Sequence, residues 1–215
     1  LSAVTVAAAA AAVMSAFWLV GTPRANVELA WIGLAAGLHG IGAAILASGL
    51  FILLSSLFGI TSRLQLLELA QADHPLLRRL QDEAPGTYHH SMLVGALAER
   101  AAAQIRADSL VARAGAYYHD IGKLAMPGYY IENMIDGEPS PHDSLPPEES
   151  ARIILAHVTN GVDLAKKHRL PPVIRDFIPQ HHGTRLVTYF YRQAAQAGQQ
   201  VDAQHYSYHG PRPQT

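Results

Sequence analysis

Imidazole and carboxylate side chains recur in close pairs along the later part of the chain: His89–His90, His119–Asp120 and His181–His182, with His157 between them. These groups bind divalent transition metals, and a nitrogen-rich set without thiolate suits Mn, Fe, Zn or Ni rather than Mg or Ca. The 215 residues include no cysteine, so disulfides and thiolate metal sites are both excluded. His119 and Asp120 are the most demanding pair. At the end of an apolar helix they lose solvation unless a solvated terminus or a cation holds both. Gly122 and Lys123 follow within one turn.

Each residue also has a plainer reading. His89–His90 would cap a helix beginning at residue 91, and His181–His182 would favour a helix C-terminus electrostatically. His157 would be a hydrogen-bonded core histidine and Lys123 a solvated lysine. His74, His142, His168, His205 and His209 sit in loops or polar contexts and are assigned no chemistry. Taken in order, however, His…His-Asp…His…His-His forms one constellation.

The elements that must position it fall into two halves. Residues 1–20 carry no charge and match the length of a membrane-spanning helix. A buried soluble helix and a signal peptide are the alternatives, although no basic segment precedes the apolar run. The opening Leu is expected of a stretch from within a longer chain. Residues 21–28 read as a polar turn around Pro23. Residues 29–60 then run with His39 as their only ionisable group, and their Gly and Ser suit close helix packing in lipid. Arg63, Arg78 and Arg79 lie just beyond, which places that end in the cytoplasm. The expectation is a transmembrane hairpin in the lipid bilayer over residues 1–60.

From residue 61 the composition changes. Residues 61–86 read as a connecting helix interrupted at Pro75 and closed by a Pro85–Gly86 turn. Apolar spacing then predicts helices over 91–107, 109–120 with Ser109 as N-cap, 146–158, 162–170, 172–183 and 185–197. Residues 133–147 read as a long loop. The fold class is all-α, a helical bundle following a membrane hairpin. With 16 basic against 17 acidic side chains there is no basic footprint for a nucleic-acid duplex. A small pocket-bound substrate fits that balance better.

The ordered histidines resemble the HD phosphohydrolase superfamily. The likeness is narrower in EAPGTYHHSMLVGALAE (83–99), AYYHDIGK (116–123), IENM (131–134), PHDSL (141–145), HVTNGVDLAK (157–166), FIPQHHGTRLVTYFY (177–191) and YHGPRPQT (208–215). These stretches resemble the seven-transmembrane HD hydrolases, the PgpH-type cyclic di-AMP phosphodiesterases of bacterial membranes. Residues 58–80 are similar to the segment joining the family's last span to its catalytic domain. The resemblance implies that residues 1–60 are the last two spans of a larger membrane region in the bacterial cell membrane, with an HD domain over 87–215 in the cytoplasm.

It also implies two divalent metals, Mn or Fe. His90, His119 and Asp120 would hold one, with His90 chosen over His89 because the family ligand directly precedes Ser91. Asp120 would bridge to a second held by His157, His181 and His182. Lys123 would meet a phosphate oxygen, and Tyr117, Tyr130 and their neighbours Tyr118 and Tyr129 would stack on a base or serve as core aromatics. A further family Asp ligand belongs to a helix beyond GPRPQ, and Asp202 is no natural substitute for it.

The implied reaction is hydrolysis of a cyclic dinucleotide to a linear one, two metals neutralising charge on the phosphate in the transition state. Rival functions are hydrolysis of cyclic di-GMP or a guanosine polyphosphate, a non-catalytic nucleotide receptor, and a metal-stabilised structural bundle. The cyclic di-GMP branch usually shows a Gly-Tyr-Pro motif after its His pair, which HHGTRLVTYFY lacks.

Overall fold

The computed structural model describes residues 26–57, 61–198 and 200–213, with Thr5 and residues 9, 10, 12 and 13 of the first apolar run. The chain divides into two compact units, residues 1–60 and 61–215. In the first, α1 (Asn26–Leu57) continues for 32 residues. Its Gly33–Leu54 stretch is long and apolar enough to cross a membrane. Trp31, Leu38, Ile45 and Phe51 are exposed, and Leu46 is 73% exposed. Apolar residues on all sides of this stretch meet the length and composition of a membrane-crossing helix. The expected first span, residues 1–20, lies almost entirely outside the described residues, and the turn expected over 21–28 is already helical at Asn26.

The second unit is all-helical among its described residues, apart from one isolated antiparallel bridge between Leu186 and Ser207. Ser62 opens α2 (Arg63–Leu69) by accepting from the Gln65 amide. Pro75 begins α3 (Pro75–Glu83), where its missing N–H breaks no hydrogen bond. Leu76, Leu77 and Leu80 are fully buried on one face while Arg78 and Arg79 face outward.

Pro85–Gly86 forms no closing turn; it is the first turn of α4 (Pro85–Gln104). The helix therefore starts six residues before the expected Ser91, and His89 and His90 lie inside it rather than capping it. Gly86 is required there because a Cβ would overlap the Glu132 carbonyl. In α5 (Ser109–Tyr118) the cap is Asp108, not Ser109: its carboxylate accepts from both the Leu110 and Val111 amides. The helix ends at Tyr118, so His119 is its C-cap and Asp120 leads into a 3₁₀ turn over Ile121–Ala125.

The helices expected at 146–158 and 162–170 are one, α6 (Pro147–Lys167). The expected 172–183 helix splits into α7 (Pro172–Arg175) and α8 (Phe177–Gln180), and α9 (Thr188–Gln196) follows. The 133–147 loop contains one short 3₁₀ turn, Pro141–Ser144, closed by reciprocal Ser140 and Asp143 hydrogen bonds.

Leu76, Leu77, Leu80, Tyr118, Ile121, Ile174 and Ile178 are fully buried in one core that joins α3, α5, α7 and α8. Each aliphatic side chain so buried contributes about 1.5–3 kcal/mol. Tyr118 keeps its hydroxyl satisfied by donating to the Leu69 carbonyl at 2.8 Å. A smaller core of Ala151, Phe190, Ala194 and Tyr206 fixes α9 against α6. The polar constellation lies where these helices end or cross.

Candidate metal centre

His90 projects from the second turn of α4, His119 caps α5, His157 sits mid-way along α6, and His181 and His182 follow α8. His157 is thus not at a helix end; the fusion of two expected helices places it mid-helix. These residues assemble into two groups, His90, His119 and Asp120, and Asp120, His157, His181 and His182. Within each, the candidate ligand atoms lie within 4.8 Å of one another. Asp120 belongs to both.

The Asp120 carboxylate divides its oxygens between the groups. Oδ2 lies 3.2 Å from His119 Nε2, and Oδ1 lies 3.4 Å from Nε2 of both His157 and His181. On the far side of each ring, Nδ1 donates to the backbone carbonyl three residues earlier. His119 donates to Ala116 at 2.6 Å, His157 to Ile154 at 2.6 Å and His181 to Ile178 at 2.7 Å. Such a bond fixes the tautomer in which Nε2 carries a lone pair aimed inward.

Asp120 Oδ1 is buried without a hydrogen-bond partner. Imidazole lone pairs and a carboxylate oxygen therefore converge in a nearly water-free space, which repels unless a cation lies among them. Two further shifts suit ligation, because an imidazole ligand must be neutral. Burial pushes the His157 pKa down to about 4. Burial, with His181 and His157 alongside, takes His182 down to about 3. Burial works against charge on Asp120, but the Lys123 ammonium 3.0 Å away favours it, and the carboxyl stays well below the usual range. The residues present fit a divalent metal of the Mn, Fe or Zn kind.

Lys123 is not the solvated lysine of the plainer reading: its side chain is only 14% exposed. Its ammonium lies 3.0 Å from Asp120 Oδ2 and 2.6 Å from Glu132 Oε1, above the Tyr130 ring. Burial disfavours its charge, but Asp120 and Glu132 outweigh that and raise its pKa. Glu132 is a participant that the sequence patterns did not single out. Thr87 donates to it at 3.0 Å, and Asn133 brackets Thr87 by accepting from its amide and donating to its hydroxyl. These partners are some 45 residues apart, so no local spacing announces them.

Of the aromatic candidates, Tyr130 lies beside the centre, its ring 6.1 Å from that of His157. Tyr117 does not. It belongs to the core, where its ring fills the space left by Gly95 and its hydroxyl accepts from Arg113 Nε at 2.8 Å. Tyr118 is likewise core. Tyr208, unassigned from sequence beyond its place in the YHGPRPQT stretch, stacks nearly parallel on His182 at 4.1 Å. Asp202 caps the Ala203–Tyr206 turn through the Gln204 amide and belongs to neither group.

Residues 87–209 match the HD domain family. The chain is 47% identical over 178 residues to the cyclic-di-AMP phosphodiesterase PgpH of Listeria monocytogenes, covering 83% of this chain and 25% of that protein. It is 39% identical over 203 residues to PgpH of Bacillus subtilis, covering 94% of this chain and 28% of the relative. The chain thus spans about a quarter of the length of these curated relatives. The crystal structure of the Listeria PgpH HD domain in complex with cyclic-di-AMP superimposes with a TM-score of 0.64 at 47% identity, over 67% of each chain.

Proposed function

The chain belongs to the HD domain family, and from that premise we propose that its 61–215 unit is the catalytic part of a membrane-attached phosphodiesterase that opens cyclic di-AMP to linear pApA. The observation that carries this reading is the Asp120 carboxylate shared by two ligand groups. A cyclic dinucleotide is a phosphodiester without an activated leaving group. Hydrolysis adds water oxygen to phosphorus and releases a ribose hydroxyl, so charge on the phosphate and the strength of the nucleophile both have to be managed.

His90, His119 and Asp120 would hold one divalent metal, and Asp120, His157, His181 and His182 a second, Mn or Fe fitting the donor set. When bound, such a pair supplies positive charge for the phosphate oxygens and a nucleophile at neutral pH. The chain's residues do the rest. Asp120 would serve both positions, and the three Nδ1–carbonyl bonds keep the imidazoles aimed. Lys123 offers its ammonium to a non-bridging phosphate oxygen as substrate competes with Glu132 for it. Residues 1–60 serve as the last two spans of a multi-pass bacterial membrane region and 61–86 as the connector. Arg63, Arg78 and Arg79 then place residues 87–215, the HD domain, in the cytoplasm.

The purified chain in detergent, supplied with Mn²⁺, is expected to convert cyclic di-AMP to pApA faster than it consumes cyclic di-GMP or a guanosine polyphosphate. Chromatography of the products decides it. Preferential turnover of a guanine nucleotide would replace the substrate, and tight binding without turnover would make the unit a receptor.

A further inference from the structure

His181 and His182 are consecutive, and successive residues on a helical path point about 100° apart. Both nevertheless offer ligand atoms to the group around Asp120. His181 takes its direction from the α8 turn, through its Nδ1 bond to the Ile178 carbonyl. Among the described residues no hydrogen bond reaches the His182 ring. Its neighbours are other rings: His181 at 4.0 Å, Tyr208 at 4.1 Å and His157 at 5.1 Å. Only Tyr208 lies nearly parallel to it, with 15° between the planes against 43° and 81° for the two histidines. The terminal torsion of a histidine is broad, so an unbonded imidazole turns freely unless a neighbouring surface narrows it.

The backbone that carries Tyr208 is pinned on both sides. Residues 206–210 run back along 183–187. The Val187 amide donates to the Tyr206 carbonyl at 2.7 Å, the Tyr208 amide to the Arg185 carbonyl at 2.9 Å and the Gly210 amide to the Gly183 carbonyl at 3.1 Å. Gly183, at φ 55°, supplies the left-handed turn that starts this return directly after His182. Gly210 lets the segment lie on the backbone before His181, since a Cβ there would overlap the Pro179 carbonyl. On the other side Tyr206 is fully buried in the smaller core. Tyr208 is itself buried, and its ring also meets that of His157 edge-on at 5.9 Å.

We propose that Tyr208 is the positioning residue for His182: its ring face does for this imidazole what the carbonyl bonds do for His119, His157 and His181. The inference rests on the metal-binding part of the proposed function and not on which phosphodiester is cleaved.

The test is titration of the metal-free full chain in detergent with Mn²⁺ and no substrate, with Tm and far-ultraviolet circular dichroism reporting on the fold. Tyr208→Leu keeps apolar bulk but removes the flat face. It should weaken the tighter equivalent by about tenfold or more, the usual cost of losing a group that orients a metal ligand. Tyr208→Phe keeps the face and should bind Mn²⁺ as wild type does. On a His182→Ala background, itself weakened, Tyr208→Leu should add no further loss, because its route to the metal is gone. Wild-type affinity in Tyr208→Leu, or an undiminished effect on the His182→Ala background, would overturn the assignment. Tyr208→Phe carries the test if the leucine variant unfolds, and a tenfold loss there would equally overturn it. The expected pattern in a chain that binds Mn²⁺ but leaves cyclic di-AMP intact would sink the phosphodiesterase reading and leave Tyr208 in this role.

Discussion

Asp120→Asn is expected to lower turnover by at least about a hundredfold and to strip metal from both ligand groups while the helices persist. The amide keeps the shape of the side chain but removes the charge that two groups share. Losing an electrostatic clamp of this kind costs about 3 kcal/mol or more of transition-state stabilisation. Removing a shared anionic ligand also affects both positions at once, which no single histidine substitution does. Metal content per chain, turnover and far-ultraviolet circular dichroism, measured together, separate this from unfolding. Unchanged metal and turnover would return His119 and Asp120 to a purely structural role.

The second large effect belongs to Gly122→Ala. A Cβ at residue 122 would overlap the His157 carbonyl and lie 2.5 Å from the Gly161 nitrogen. Both are backbone atoms of α6, so the helix has to withdraw, taking His157 away from Asp120. Overpacking of this sort destabilises by about 1–3 kcal/mol. A shift of about 1 Å in a catalytic group costs about a hundredfold in rate. The expected result is a lowered Tm together with a disproportionate fall in kcat. Gly128→Ala is the control, because a Cβ there meets nothing within 4 Å. Wild-type Tm and turnover in Gly122→Ala would show that this close approach does not set the position of His157.

That same contact explains where the sequence misled. The expected helices 146–158 and 162–170 leave Gly161 between them, yet it lies buried inside the single α6, where Gly122 packs against it. Pro85 and Gly86 carry the composition of a turn. The small Gly86 instead admits the Glu132 backbone while Pro85 starts a helix. Ser109 and Asp108 are both good caps, and only the folded chain shows the carboxylate taking the two amides. The histidines and Asp120 were legible because their types are scarce and their order is distinctive. Glu132 and Tyr208 were not, since each acts through partners distant in sequence: Thr87 and Lys123, and His182. Tyr117 misled for the reverse reason. Adjacent in sequence to the His–Asp pair, it turns into the core towards Arg113.

The two ligand groups are not equivalent. One gathers Asp120 with three histidines that are buried or half-buried; the other has His119, Asp120 and the exposed His90. Fewer ligands among the described residues and greater exposure make the second position the weaker in residues 1–215, so the metal-free chain titrated with Mn²⁺ is the most direct test of a centre built around a shared carboxylate. Metal binding and cyclic di-AMP hydrolysis followed in the same titration should show one equivalent bound tightly with little turnover. Activity should then rise as a second, weaker equivalent fills. Full turnover at a single equivalent, or two equivalents bound with equal affinity, would contradict it.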